Sequence, residues 1–403
     1  MGAPLARADE ALTLKECYQM ALERSETVAM QGQVIKEAEG RFLQNLSTSL
    51  PKIAFVDTEK KQDTGSSSAR TYFPERVFVF TQPLFTGFKE FAGIAASKAE
   101  HKQREQELLR AQQLLFTDVS DAFYLLKSYQ EDLKAVEEIH KALQDRMDEL
   151  KKRESLGRSR TSEVAGTEAK LYQNEAELES VRGQQEIASE LMAFLIGSEA
   201  PVLADADLIV GDAASENDCV NKADARPDVK AAQHAAVVAE KKIAIARSGF
   251  FPTVNAVANS YTKRVGADNG VDWDITLNVD VPIFNGTQTF GEVKEAQAQA
   301  EEAKLRSSQV QRQAVLDIRN AYTKLTTNQR QTKAFKRAVD AAQRNYDLQA
   351  ADYRNNLVNN LDVLQALQDL QTMRRSYISI KNETQRAYWN LKVATGDIVD
   401  DTL

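Results

Sequence analysis

Proline is missing from two long stretches of this 403-residue chain. The eight prolines are Pro4, Pro51, Pro74, Pro83, Pro201, Pro227, Pro252 and Pro282. They leave residues 84–200 and 283–403 without one. Proline breaks helix interiors, so both tracts are free to form very long helices. Glycine is scarce as well, at 17 residues. A compact α/β enzyme with a turn every dozen residues does not fit such a chain. Only two cysteines, Cys17 and Cys219, are present, which excludes a disulfide framework and a cysteine-rich metal site. Three histidines, His101, His140 and His234, offer little for catalysis or metal binding. No basic face stands out in a chain of net charge −8, which argues against nucleic acid as a partner. No apolar run approaches the length of a spanning helix. A membrane crossing would therefore need a closed β-barrel.

Residues 1–11 read as a tail. Ala6-Arg7-Ala8 before Asp9 has the small-x-small form of a trimmed export signal, without the apolar segment that precedes one. A chance alanine-rich start reads equally well.

The rest is an internal duplication. Pro83, Phe85 and Gly87 match Pro282, Phe284 and Gly286, each 199 residues further on. The same offset relates Glu163-Val164 to Asp362-Val363 and Gly197 to Gly396. Upstream, Leu50-Pro51-Lys52-Ile53 matches Phe251-Pro252-Thr253-Val254 at an offset of 201. The copies are assigned to 12–197 and 218–396, with an acidic linker at 198–217 and a tail at 397–403.

Each copy predicts helix, strand, loop, strand, long helix and return helix. Strands are expected at about 52–60 and 72–85 in the first copy, and at 253–263 and 272–284 in the second. The clearest alternation is Trp273, Ile275, Leu277, Val279, Val281 and Ile283 against Asp272, Asp274, Thr276, Asn278 and Asp280. A half-buried soluble sheet shows this pattern, but so few strands could hardly bury a large core. A barrel strand has one lipid-facing and one water-facing side across an apolar band about 25 Å tall. Tyr72, Phe73, Tyr261 and Trp273 lie near the strand ends, as an interfacial aromatic girdle would. The loops 64–71 and 266–271 are then expected to face outside the cell.

The long helices are expected at 88–156, 161–195, 287–355 and 360–395. Leu108, Leu115, Ala122, Tyr129, Val136, Leu143 and Leu150 form one heptad column, and Val119, Leu126, Leu133, His140 and Met147 a second. His140 in such a column reads as a packing or solvated residue, not a ligand. Gly157 and Asn356 suit helix ends that need a left-handed residue. Thr161 and Asn360 are expected to cap the return helices.

The two Pro-x-Phe-x-Gly strand exits, Pro83 to Gly87 and Pro282 to Gly286, resemble those of the TolC-type outer-membrane efflux proteins. So do the turns carrying Glu163-Val164 and Asp362-Val363, and the opening Leu12-Thr13-Leu14-Lys15-Glu16-Cys17 with Ala21-Leu22. The resemblance covers almost the whole chain. It implies a mixed α and β fold of long coiled-coil α-barrel hairpins, with four strands per chain in a trimeric twelve-stranded β-barrel. It also implies a homotrimer in the outer membrane of a Gram-negative bacterium, with a long periplasmic portion. Partners would be outer-membrane lipid, a periplasmic adaptor and an inner-membrane pump, in efflux or type I secretion. No enzyme activity and no cofactor are implied. Cys17 stands where the family usually has a small residue, and no lipoprotein signal precedes it, so no lipid anchor is expected. The helices alone equally fit a soluble periplasmic coiled-coil scaffold or tether, which the alternating strands speak against.

Threefold symmetry would bring the helical turns toward one axis. Asp362 and Glu163 are then expected to gate a periplasmic entrance, with three Asp362 carboxylates forming a ring that favours cations. Arg158, Arg160 and Arg354 lie in the same turns as candidate counter-charges, and Tyr353 as a hydrogen-bond donor. In the resembling family the position of Asp362 belongs to an acidic constriction, and those of Glu163 and Tyr353 to closing links. Val358 stands here where the family has a basic partner.

Overall fold

A computed structural model describes residues 11–62, 72–198, 203–204, 214–266 and 268–397. The loop 64–71, most of the linker 198–217, and nearly all of both tails lie outside the described residues. Among the described residues no helix is long and apolar enough to cross a membrane.

The elements follow the duplicated order. α1 (Leu14–Arg24) and α2 (Glu26–Ser47) precede the strands β1 (Lys52–Lys61) and β2 (Tyr72–Thr86). The long helix α3 (Lys89–Ser155) and its return α4 (Thr161–Ile196) complete the first copy. α5 (Glu216–Val220) and α6 (Pro227–Arg247) lead to β3 (Thr253–Arg264) and β4 (Trp273–Asp280). α7 (Gln288–Arg354) and α8 (Asn360–Thr395) close the chain.

In space the division is different. One compact unit holds Met1–Val28, Arg110–Arg226 and Gln313–Leu403, and the other Ala29–Leu109 and Pro227–Arg312. Each unit draws on both sequence copies. The reason is the length of α3 and α7, 67 residues each, which supply residues to both units.

In the first unit α1 begins with a capping box. The Thr13 hydroxyl accepts the Glu16 N–H, and the Glu16 carboxylate accepts the Thr13 N–H at 2.8 Å. These bonds hold the Glu16 carboxyl below its usual range. The box puts the apolar face of α1 onto α3 and α4. Cys17, Tyr18 and Ala21 pack among Phe116, Val119, Leu126 and Met192. Tyr18 meets Phe116 edge-on at 5.1 Å, and Phe116 meets Trp389 at 5.4 Å. Phe116 and Phe123, one residue past the expected heptad column, are buried too, because α3 is covered on more than one side here. Arg226 is 1% exposed and pairs with Asp317 at 3.3 Å. His140 does pack, its Nδ1 3.2 Å from Asn174 Oδ1.

The second unit holds one antiparallel sheet in the order β1-β2-β3-β4. The hairpins run from Lys52↔Thr81 to Lys61↔Tyr72 and from Thr253↔Asp280 to Ser260↔Trp273. The copies meet at the centre, where β2 pairs with β3 from Thr86↔Thr253 to Glu75↔Arg264, with a shift between Pro83 and Phe85. Cross-strand partners share a face. Ile53, Phe80, Ala258 and Ile275 thus lie on one face, with Phe55, Phe78, Leu277 and Val279. That face is bare, with Ile275 68% and Leu277 60% exposed. On the other face Asp274 accepts hydrogen bonds from Asn259 and Tyr261, both at 2.8 Å. Among the described residues of the four strands only Pro74 and Val77 are buried, so the sheet has no core of its own.

β4 is shorter than the sequence predicts. The expected strand over 272–284 ends at Asp280, and Val281–Phe284 leave the ladder. β3 begins at Thr253 behind Pro252, so it offers no further partner.

Candidate functional site

The two helical turns fold alike. At the end of α3, Gly157 takes φ +69°, the Arg158 N–H reaches Arg153 O at 2.8 Å, and the Gly157 N–H reaches Glu154 O at 2.8 Å. At the end of α7, Asn356 takes φ +58°, with Leu357 N–H to Asp352 O at 2.9 Å and Asn356 N–H to Tyr353 O at 3.0 Å. Both are Schellman closures, which need a left-handed residue at that place. Asparagine tolerates it better than other side chains.

The caps of the return helices differ from the expectation. Thr161 and Asn360 are the first helical residues, and the caps lie one residue earlier, at Arg160 and Asn359. Those two have the extended backbone a cap requires. Arg160 makes no side-chain cap bond. Asn359 forms a capping box with Asp362: each backbone N–H is taken by the other's side chain at 3.1 Å. Asp362 is thus an exposed carboxylate with one oxygen in the cap. Glu163 is half-buried and accepts from Ser159 Oγ at 2.5 Å. Arg158, Arg160 and Arg354 are exposed and make no ion pair among the described residues.

Tyr353 is buried, at 5% exposure, against Leu150 and Val363. Its ring lies beneath two guanidinium groups, Arg146 at 3.7 Å and Arg153 at 4.7 Å. Sequence reasoning missed Arg146, and it read Asn360 as a helix cap where the structure buries it. Arg146 Nε donates to Asn360 Oδ1 at 2.9 Å, and Asn360 Nδ2 donates to Thr167 Oγ1 at 2.9 Å. Asn360 is 2% exposed and its Nδ2 also lies 3.4 Å from Glu163 O. One buried amide thus ties α3, α4 and α8 together, and Arg146 adds α7 through Tyr353. The available signal was a charged residue, Arg146, directly beside the Met147 core column. Above the turns, α8 is fastened to α3 by Arg375 on Asp132, with two contacts at 2.7 Å, and by Arg374 on Glu138 at 2.9 Å.

The strand exits form a second paired feature. Gly87 and Gly286 take φ +68° and +65°. A Cβ on Gly87 would lie 2.7 Å from Ser248 O, so only glycine fits there. Pro83 stays in the β2 ladder opposite Asn255, while Pro282 lies past the end of β4. Among the described residues no group of three or more His, Cys, Asp or Glu side chains is placed to hold a metal ion. Burial pushes the Cys17 thiol up to about 12.

This duplicated helical scaffold with one bare-faced sheet belongs to the family of outer membrane efflux proteins, which matches residues 17–198 and 221–397. Two relatives are a nodulation protein T of Rhizobium leguminosarum bv. trifolii and the outer membrane efflux protein BepC of Brucella suis. The first is 22% identical over 69% of this chain and 62% of its own length. The second is 24% identical over 80% and 72%. Among solved structures, the outer membrane protein VceC of Vibrio cholerae superimposes with a TM-score of 0.82 at 21% identity, covering 95% of this chain and 96% of that one.

Proposed function

We propose that this chain is one of three protomers of an outer-membrane channel, which conducts passively what a periplasmic adaptor and an inner-membrane pump deliver. The observation that carries this is the sheet. Its apolar face is bare, its other face is polar, and its edge strands β1 and β4 have no outer partner among the described residues. In water such a sheet is unstable, and in lipid a free edge leaves backbone groups unsatisfied. Three copies closing one barrel answer both problems.

The loops after β1 and β3 would face the outside, and the turns at Gly157 and Asn356 the periplasmic entrance. There the exposed Asp362 would supply an acidic ring, if the threefold axis passes beside the turns. Arg158, Arg160 and Arg354 are its available counter-charges.

Carbonate extraction of bacterial membranes followed by glutaraldehyde cross-linking tests the assembly. Retention in the membrane as a trimer supports it, and release as a soluble monomer refutes it in favour of a scaffold. In planar bilayers Asp362→Asn should lower cation selectivity, while Tyr353→Phe with Glu163→Gln should raise conductance. An unchanged channel in both variants would make the turns purely structural.

A further inference from the structure

Lys170, Gln173, Asn174 and Glu177 stand at i, i+3, i+4 and i+7, so α4 presents all four on one face. α8 meets that face, and between the two helices lies a groove of about 340 Å³. Its floor is apolar. Leu364 and Leu367 of α8 pack there with Ile139 and Leu143 of α3, and all four are buried. Its rim is polar and reaches solvent at Gln173 and Gln368. The polar groups of the groove do not balance. At one end Glu177 is spent: one oxygen accepts from Gln371 Nε2 at 2.6 Å, and the other from Arg375, which Asp132 also holds. At the other end two donors are left over. Lys170 Nζ has only amide oxygens, Gln368 Oε1 at 2.9 Å and Gln173 Oε1 at 3.2 Å, and no carboxylate among the described residues. Asn174 is 3% exposed, with its Oδ1 3.2 Å from His140 Nδ1 and its Nδ2 without a partner among the described residues. A buried amide donor without an acceptor is costly, and native structures seldom keep one.

We propose that this groove binds a small organic carboxylate, with its oxygens on Lys170 Nζ and Asn174 Nδ2 and its apolar body over Leu364 and Leu367. Lys170 and Asn174 are one turn apart, with Cβ atoms about 5–6 Å from each other, so one carboxylate can answer both donors. Its bond to the ammonium is charge-assisted, which the two amide contacts are not. Glu177 does not repel it strongly, lying about 10 Å further along α4 with Arg375 against it. An inorganic anion would leave the floor bare, and a neutral apolar molecule would leave the donors unanswered. A water could serve Asn174 but would neither neutralise Lys170 nor cover the floor. The duplicated scaffold does not require this set of residues. The positions 199 residues further on hold Asp369 for Lys170, Met373 for Asn174, and Ala338 and Ala342 for Ile139 and Leu143. The site lies within the helical unit and does not rest on the channel reading above.

Phenylacetate, which carries an apolar ring and one carboxylate, is a suitable probe. It would be titrated calorimetrically into the full-length protein in maltoside detergent, with phenylacetamide and acetate as the analogues that lack the charge and the ring. Phenylacetate should bind saturably, and each analogue at least about tenfold more weakly, as losing a charged hydrogen bond or the apolar contact implies. Lys170→Gln and Asn174→Leu should each weaken phenylacetate at least about tenfold. Lys141→Gln, at an exposed lysine of α3, should leave it unchanged. Helical circular dichroism confirms the fold of each variant, and Lys170→Gln, at a half-buried side chain, carries the test if Asn174→Leu does not fold. Phenylacetate and phenylacetamide binding alike, or Lys170→Gln binding as the wild type does, would overturn the proposal. So would the absence of saturable binding, which would leave Asn174 to water.

Discussion

Asn360 is one residue away from being an ordinary helix cap, and that one residue buries it. Its amide spends both ends on other helices, with Arg146 on one side and Thr167 on the other. Removing it takes the partner from Nε of a guanidinium that is nearly buried and has Nη2 already unpartnered, leaving only Nη1 bonded, to Glu149 at 2.9 Å. Asn360→Ala should therefore cost about 1–3 kcal/mol, as a lost buried polar partner does. Thermal unfolding of the helical circular dichroism in detergent would show it, and adding Arg146→Met should return part of the loss. A second residue responds to pH. Burial, with Lys102 and Lys230 nearby, holds His234 below its ordinary value, against the opposing pull of Glu105. The neutral ring is favoured in the folded state, so its contribution is present above about pH 6.5 and is lost as pH falls through the lowered value. His234→Gln should flatten the decline of thermal stability between about pH 7 and 5. An identical slope in both proteins would exclude the histidine as its source. These side chains were poorly legible in the sequence. Gly157 and Asn356 announced their left-handed backbone, but nothing in the spacing tells a capping asparagine, Asn359, from a buried one, Asn360.

At the scale of elements, the turns and strands were legible because period and punctuation specify them. The long helices end within two residues of their expected bounds, since glycine and asparagine mark the closures. The error fell on β4, whose alternation continues to Ile283 although its ladder stops at Asp280. Alternation records which face a side chain is meant to see, and the ladder needs a partner strand besides. The turn chemistry makes a paired prediction. Gly157→Ala forces a side chain into φ +69° and should destabilise by about 1–2 kcal/mol. Gly166, inside α4 with open space around it, should behave oppositely. Gly166→Ala should stabilise by about 0.5–1 kcal/mol. Asn359→Ala removes the cap of α8 and should cost about 1 kcal/mol. The three melting curves, compared in one detergent, check the set.

For the whole molecule, the two faces of the sheet make opposite demands. Leu277 lies on the bare apolar face and Asn278 on the polar one. Leu277→Lys places a charge toward lipid and should cost about 2–4 kcal/mol near the bilayer midplane. Asn278→Lys should leave assembly intact and shift ion selectivity toward anions. Refolding yield into lipid vesicles reads the first, and reversal potentials in planar bilayers the second.

The central pairing of the sheet has a consequence in time. Thr86 and Thr253 are neighbours across β2 and β3 yet lie 167 residues apart in the chain. At a synthesis rate of about 5–20 residues per second, the second strand follows the first by roughly 10–30 s. Over that interval the β1–β2 hairpin exists with both edges open and its apolar side uncovered, while the helices between can form from local contacts alone. The nascent chain carries that open edge of β2 until Thr253–Arg264, past its midpoint, has been made. A holding chaperone that recognises the segment around Ile53, Phe55, Phe78 and Phe80 would be needed early, and for as long as that face stays bare, because Thr253–Arg264 pairs with the edge of β2 without covering it.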